Sequence, residues 1–356
     1  MLNLSQVVRP GPGQFICESG ALSLLDEKLS VFKQPVLIAG DKSYEAFKKH
    51  YPGKRDFKVL KYNRTSSHED MECLASQVPE GTDVLVGIGG GTALDTTKGT
   101  ASMLGVELIT IPTVLGTCAG FTPLSVVYHP DHTFKKVEYY ERGIHLCLMD
   151  LDLLVESPKE YFMGGIGDTL AKWYEAAGIT EHFEGDLPAM VEVGLSTAKV
   201  TQEILLRDTK EGLANLEAKT VTPAFKRLAE TIVGVAGTVG GFAGEYGRMA
   251  GAHAIHNGMS LVPETHAFEH GVKVAYGVLV QLVAAGKEVD VETLLPFYKE
   301  NNFPSKLSDF GVKDNLEEKV NVVAEFAASD AETFNLAVKN VTTEQVRDAM
   351  LALEAK

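Results

Sequence analysis

Three hundred and fifty-six residues correspond to two domains, three at most, at about 150 residues each. An apolar share of 45% with 23% charged residues describes an ordinary globular chain and excludes a disordered or fibrous one. Thirty-three Lys and Arg against 48 Asp and Glu leave a net charge of −15, which repels a phosphate backbone, so neither nucleic acid nor an anionic membrane is expected as a partner.

The opening MLNLSQVVRPGPGQF has no basic start followed by an apolar run, and no window of about 18 apolar residues occurs, so neither a secretory leader nor a membrane span is expected. Cys17, Cys73, Cys118 and Cys147 form no CxxC pair and no zinc-finger spacing. A disulfide framework is therefore not expected, and the expected location is a reducing cytoplasm.

From Val36 to Asp150, short apolar runs alternate with helix-like stretches. The runs are VLIAG (36–40), FKVLKY (57–62), DVLVGIGG (83–90), ELITIPT (107–113) and HLCLMD (145–150). SHEDMECLASQV and TALDTTKGTASML, between them, carry apolar residues three and four apart, as amphipathic helices do. This order predicts an α/β fold with a doubly wound parallel sheet, whose ligands bind beyond the carboxyl ends of the strands. After Asp150 the patterns turn helical, as in DTLAKWYEAAGI, LPAMVEVGLSTAKVTQEILL and PAFKRLAETIVGVAGTVGGFAG. The expected partition is a dinucleotide-binding domain over 1–155, a helical metal- and substrate-binding domain over 156–356, and a cleft between them.

Val86-Gly87-Ile88-Gly89-Gly90-Gly91-Thr92 ends a strand and opens a helix, where backbone N–H groups and a helix dipole can hold a pyrophosphate. It departs from GxGxxG, with Thr92 in place of the last glycine, and follows the third strand rather than the first, so a plain tight turn remains an equal reading. Asp95 and Lys98 fall early in the helix after this turn, where an acid suits the macrodipole with or without a ligand. Asp41, after the first strand, is either an acceptor for adenosine ribose hydroxyls, favouring NAD, or a helix N-cap.

Asp168 in GGIGD either caps the next helix or joins His253 and His256 of GAHAIHNG and His270 of EHGVKVAYGVL. One carboxylate and two imidazoles make a mixed oxygen and nitrogen set suited to Zn²⁺ or Fe²⁺ with positions left open.

Taken together, GGGTALDTTK, IPTVLGTCAGFTPLSVVY, GIGDTLAKWYEA, GAHAIHNG and HGVKVAYGVLVQL resemble the glycerol dehydrogenase group of the iron-containing alcohol dehydrogenase family, in order from Asp41 to about Leu282. The resemblance implies a Rossmann-like N-terminal domain and an all-helical C-terminal domain, the architecture shared with dehydroquinate synthase. It implies that Asp168, His253 and His270 hold the metal, zinc usually and iron in other groups, and that His256 lies near without ligating. Gly89, Gly90, Gly91, Thr92 and Asp95 then match the pyrophosphate loop and Asp41 the ribose acid. Thr113, Thr117, Thr122, Leu124 and Tyr128 fall in the segment lining the nicotinamide. Self-association into a homo-oligomer is a further implication.

Two departures bear on substrate. Gly116-Thr117-Cys118 stands where glycerol dehydrogenases read S-T-D, removing a carboxylate for polyol hydroxyls and leaving Cys118 as pocket lining. Lys172, four residues after Asp168 on the same helix face, stands where that group carries a small polar residue. Its ammonium serves either a substrate carboxylate or an ion pair with Asp168. The sequence is most similar to the hydroxycarboxylate dehydrogenase branch, which implies metal-dependent hydride transfer between a nicotinamide cofactor and a small 2-oxo or 2-hydroxy acid, with His256 as a proton relay. That branch tends to use NADPH, whereas Asp41 favours NAD. The alternatives are polyol oxidation and a dehydroquinate synthase-like lyase, for which Lys172 and Lys273 supply few of the required cations. The acidic helical tail from Val283 carries no functional signal.

Overall fold

The structure, a computed structural model, describes residues 7–356; the start of the opening segment, residues 1–6, lies outside the described residues. Among these, the strands are β1 (Gln14–Glu18), β2 (Pro35–Ala39), β3 (Lys58–Lys61), β4 (Val84–Gly89), β5 (Glu107–Pro112), β6 (Leu124–Tyr128), β7 (Phe134–Tyr139) and β8 (Leu146–Asp150). Six form one sheet in the order β1-β8-β5-β4-β2-β3, parallel at every pairing. β4 is buried along its whole length, as a central strand covered on both faces must be. On one face Val36, Ile38, Leu60, Leu85 and Leu108 pack with Leu74 and Ala101, which come from the helices His68–Gln77 and Gly91–Leu104.

The five strands expected from apolar runs are all present in this sheet, within about two residues at each end. β1 and the antiparallel ribbon β6–β7 were not expected. β1 is a short edge strand beside β8, and β7 (FKKVEY) is exposed at its start, so neither writes a continuous apolar run. Parallel pairing of Ala39 with Ile88 brings the turn after β2 beside the turn after β4. The carboxyl ends of these adjacent strands are where a doubly wound sheet receives ligands.

The chain divides into two compact units. The first is the chain up to Phe162 together with Glu211–Gly241; the second is Met163–Lys210 with Phe242–Lys356. The return of 211–241 to the first unit differs from a single cut near residue 155. Its cause is packing that helical periodicity does not encode. Phe225 meets Phe162, Arg9 N donates to Gly241 O at 2.8 Å, and Gly234 and Gly237 leave room for the rings of Phe15 and Phe121.

The second unit is helical, and Asp168, His253 and His270 stand on its helices Lys159–Glu181, Gly251–Met259 and His270–Ala284. Tyr276, Tyr298, Phe310 and Phe334 are fully buried in its core. The tail beyond Val283 contributes the helices Glu288–Asn301, Leu316–Ala327 and Thr343–Glu354, which bury Val323, Met350 and Leu353. No helix among the described residues is long and apolar enough to cross a membrane. None of the four cysteines forms a disulfide.

Candidate metal centre and dinucleotide cradle

Asp168 does not cap a helix. It lies inside Lys159–Glu181, where glycines let two helices meet backbone to backbone. A Cβ on Gly271 would stand 1.8 Å from the carbonyl oxygen of Gly164, and one on Gly167 would stand 2.2 Å from that of Gly271. Only glycine permits this approach, and it sets Asp168, next to Gly167, against His270, next to Gly271. His253 comes from the buried face of Gly251–Met259.

The donor atoms of Asp168, His253 and His270 all lie within 4.8 Å of one another. His253 Nε2 is 3.3 Å and His270 Nε2 3.7 Å from Asp168 Oδ1. That buried oxygen has no partner in hydrogen-bonding geometry. Burying a carboxylate oxygen without one is costly, and a cation bound at this point removes the cost. Burial opposes ionisation of Asp168, yet Lys172, at 4.0 Å, with His253 and His270 holds the carboxyl well below its ordinary range. The ion pair weighed for Lys172 is thus present, and its side chain is largely buried.

Sequence reasoning missed Glu175. It is fully buried and accepts from Ala250 N at 2.7 Å, from His253 N at 3.0 Å, and meets His253 Nδ1 at 2.8 Å. This fixes a proton on Nδ1 and turns Nε2 toward Asp168, so that Nε2 is the nitrogen left to a metal ion. Burial disfavours the His253 cation, but Glu175 and Asp168 push its pKa up to about 9. The available signal was spacing: Asp168, Lys172 and Glu175 stand at i, i+4 and i+7 on one helix face.

His256 has both ring nitrogens engaged, Nε2 at 3.0 Å from His270 Nδ1 and Nδ1 at 3.0 Å from Asn257 Oδ1. Burial, then His270 and Lys273, hold its pKa well below the ordinary value, so it is a neutral imidazole. Through Nε2 it also braces His270. Burial likewise lowers the pKa of Lys273.

In the first unit, Gly90 caps the helix Gly91–Leu104 directly after β4. A Cβ on Gly89 would stand 2.6 Å from that of Ala93, and one on Gly91 would stand 3.1 Å from Thr117 Oγ1. Thr92 is exposed at the helix start. Asp41 is the first residue of the helix Asp41–His50 rather than its cap, which is Gly40, and it pairs with Lys61 and, at 4.0 Å, Arg64.

Asp95 lies on the helix Gly91–Leu104. It is buried, its Oδ2 accepts from Val126 N at 2.9 Å, and Lys98 Nζ lies 2.7 Å from Oδ1. The carboxylate thus holds the β6 ribbon. Lys98 also donates to the carbonyls of Ala119, Thr122 and Leu124, drawing in the loop that carries Thr113, Thr117, Cys118 and Thr122. Thr113 and Thr122 are buried there, Cys118, Leu124 and Tyr128 half-buried, and Thr117 exposed.

Comparison with known proteins accords with this geometry. Residues 12–150 match the family described as iron-containing alcohol dehydrogenase. The chain is 31% identical to hydroxycarboxylate dehydrogenase A of Escherichia coli strain K12, over 97% of this chain and 96% of that protein. It is 32% identical to a glycerol dehydrogenase of Thermotoga maritima, over 97% and 95%. The crystal structure of a probable glycerol dehydrogenase from Sinorhizobium meliloti 1021 superposes with a TM-score of 0.85 at 27% identity, covering 98% of each chain. Relatives named as dehydrogenases, matched over nearly the whole chain, establish that this protein is an oxidoreductase belonging to the iron-containing alcohol dehydrogenase family.

Proposed function

We propose that the protein transfers a hydride between a nicotinamide dinucleotide and a small 2-oxo or 2-hydroxy acid, with a divalent ion held by Asp168, His253 and His270. The observation that carries the substrate class is Lys172, whose ammonium stands 4.0 Å from Asp168 Oδ1 on a largely buried side chain. A cation in that position offers a substrate carboxylate a charge-assisted hydrogen bond beside the reacting carbon. The absence of an acid at Gly116-Thr117-Cys118 works against a polyol.

The donor set fits a metal: one orphaned buried carboxylate oxygen and two ring nitrogens converge, with Glu175 and His256 behind them. One oxygen and two nitrogens suit zinc, with iron the alternative. An ion bound there supplies Lewis acidity toward a carbonyl or hydroxyl oxygen. The protein's own groups orient the substrate: Lys172 holds the carboxylate, and neutral His256 keeps His270 turned toward Asp168.

For the dinucleotide, the Gly89-Gly90-Gly91 turn and the amino end of Gly91–Leu104 receive the pyrophosphate. Asp41 supports NAD, while its partners Lys61 and Arg64 supply charge for a 2′-phosphate, so both cofactors are admitted.

The test compares the purified enzyme's rates on 2-oxobutyrate with NADH and NADPH against glycerol with NAD. Faster reduction of the oxo acid is expected. Faster glycerol oxidation, the activity named for the Thermotoga maritima relative, overturns the substrate choice.

A further inference from the structure

Behind His270 runs a chain of polar contacts that ends on a carboxylate remote from the donor set. His270 Nδ1 meets His256 Nε2 at 3.0 Å, His256 Nδ1 meets Asn257 Oδ1 at 3.0 Å, and Asn257 Nδ2 donates to Glu332 at 3.0 and 3.3 Å. Glu332 is brought there by the tail, its neighbour Thr333 donating to Ala250 O at 2.8 Å, just before the helix that carries His253 and His256.

Every link but the last has two chemical orientations, and the last has one. An ionised carboxylate accepts and never donates. Glu332 therefore requires the NH₂ of the Asn257 amide, which turns the amide oxygen toward His256. An oxygen there requires the proton of neutral His256 to sit on Nδ1, which makes Nε2 an acceptor. An acceptor at that nitrogen requires His270 to carry its proton on Nδ1, leaving the Nε2 lone pair directed at Asp168. All three links then have matching polarity, and a reversal at any one sets two donors or two acceptors face to face.

We infer that Glu332 and Asn257 are positioning residues that fix the tautomers of His256 and His270, and thereby aim the His270 Nε2 lone pair at the metal position. The inference rests on reading Asp168, His253 and His270 as a metal site. It gives the tail a task at the centre: a carboxylate in the last fifth of the chain selects which nitrogen of His270 is free to ligate.

Glu332→Gln removes the constraint, because an amide can donate as well as accept and so lets Asn257 turn over. Adding Asn257→Asp restores it in that background. The introduced carboxylate accepts from the glutamine amide with one oxygen and from His256 Nδ1 with the other. Holoenzyme and variants are stripped and titrated with Co²⁺ against a competing chelator, following the visible spectrum of the bound ion. Glu332→Gln is expected to weaken Co²⁺ binding about tenfold, the lower end for partners of metal-bound histidines. Asn257→Asp added to Glu332→Gln is expected to recover most of the loss, which a merely structural part for Glu332 does not produce. Co²⁺ affinity of Glu332→Gln within twofold of the parent, or no recovery in the double variant, overturns the inference while leaving the metal site standing. Failure of the parent itself to bind Co²⁺ overturns the metal reading and this inference with it. A measurement that needs no variant is ¹⁵N NMR of histidine-labelled zinc-loaded parent. His256 is expected to show a protonated Nδ1 and a bare Nε2, and the opposite pattern overturns the assignment.

Discussion

His253 Nδ1 stands 2.8 Å from a carboxylate oxygen of Glu175, a side chain with no solvent exposure whose other oxygen accepts from the backbone N–H groups of Ala250 and His253. The amino end of Gly251–Met259 and the imidazole it carries are thus tied to one carboxylate. Replacing Glu175 by Gln keeps the volume but removes the charge that orients and strengthens His253 as a ligand. The expected result is a metal affinity about 10–100-fold weaker, read by chelator competition, in a protein that still folds. An unchanged dissociation constant in Glu175→Gln would remove Glu175 from the site.

The same pair makes the ion-free protein sensitive to alkali. Burial disfavours a charged His253, but Glu175 and Asp168 outweigh it and raise the pKa from 6.5 to about 9. A folded pKa above the unfolded one stabilises the fold fully below the unfolded value, and that contribution is lost as pH rises through the folded value. In chelator, Tm is therefore expected to fall between pH 6.5 and pH 9.5, by the equivalent of about 3 kcal/mol at most. A His253→Gln variant should give a flatter profile. A parent Tm that holds level across this range contradicts the argument.

Gly271→Ala tests the helix crossing. The added methyl would meet the carbonyl oxygen of Gly164 at 1.8 Å and Asp168 N at 2.8 Å, both backbone atoms that cannot rotate aside. The helices must part, at about 1–3 kcal/mol or more, and Asp168 and His270 part with them. The expected outcome is a lower Tm together with loss of zinc after dialysis. A variant that keeps its metal and its Tm would show that the crossing does not set the site.

What the sequence disclosed depends on how each feature is written in it. β2, β4, β5 and β8 are buried apolar runs, and such runs are visible without any fold. The donor trio was legible only through motifs taken together, because spacing alone cannot show that Asp168 meets residues about 85 positions later. Asn257 and Glu332 were hidden for a different reason: the roles inferred for them are defined by which atom donates, a property of hydrogen-bond direction. Asp95 was placed in the pyrophosphate loop by resemblance, and only tertiary contact with Val126 shows what its carboxylate holds.

Lys172 separates substrate from scaffold. If its ammonium receives a substrate carboxylate, Lys172→Met raises the KM for 2-oxobutyrate about 10–100-fold, the worth of one hydrogen bond to a charged group. An uncharged aldehyde of similar size should lose much less. Equal losses for both substrates would assign Lys172 to Asp168 alone, the partner it has at 4.0 Å.

In the proposed cofactor site, the choice of dinucleotide falls to the turns after β2 and β3. β2 and β3 are parallel neighbours paired through Ala39 and Lys61, so the residues after β3 stand beside the start of the helix that succeeds β2. An acid alone at Asp41 repels a 2′-phosphate and selects NAD. Here Lys61 is its first partner and lowers its pKa most, with Arg64 adding less, so the carboxylate is offset by two cations on exposed side chains. Removing both cations in Lys61→Ala/Arg64→Ala leaves Asp41 unopposed. The dissociation constant for NADP⁺, measured by protein fluorescence, is expected to rise at least tenfold, while that for NAD⁺ changes by less than threefold. Asp41→Asn in the parent should do the reverse, loosening NAD⁺ and tightening NADP⁺. Equal shifts for both dinucleotides in the double variant would show that Lys61 and Arg64 act on the fold of the turn and not on the phosphate.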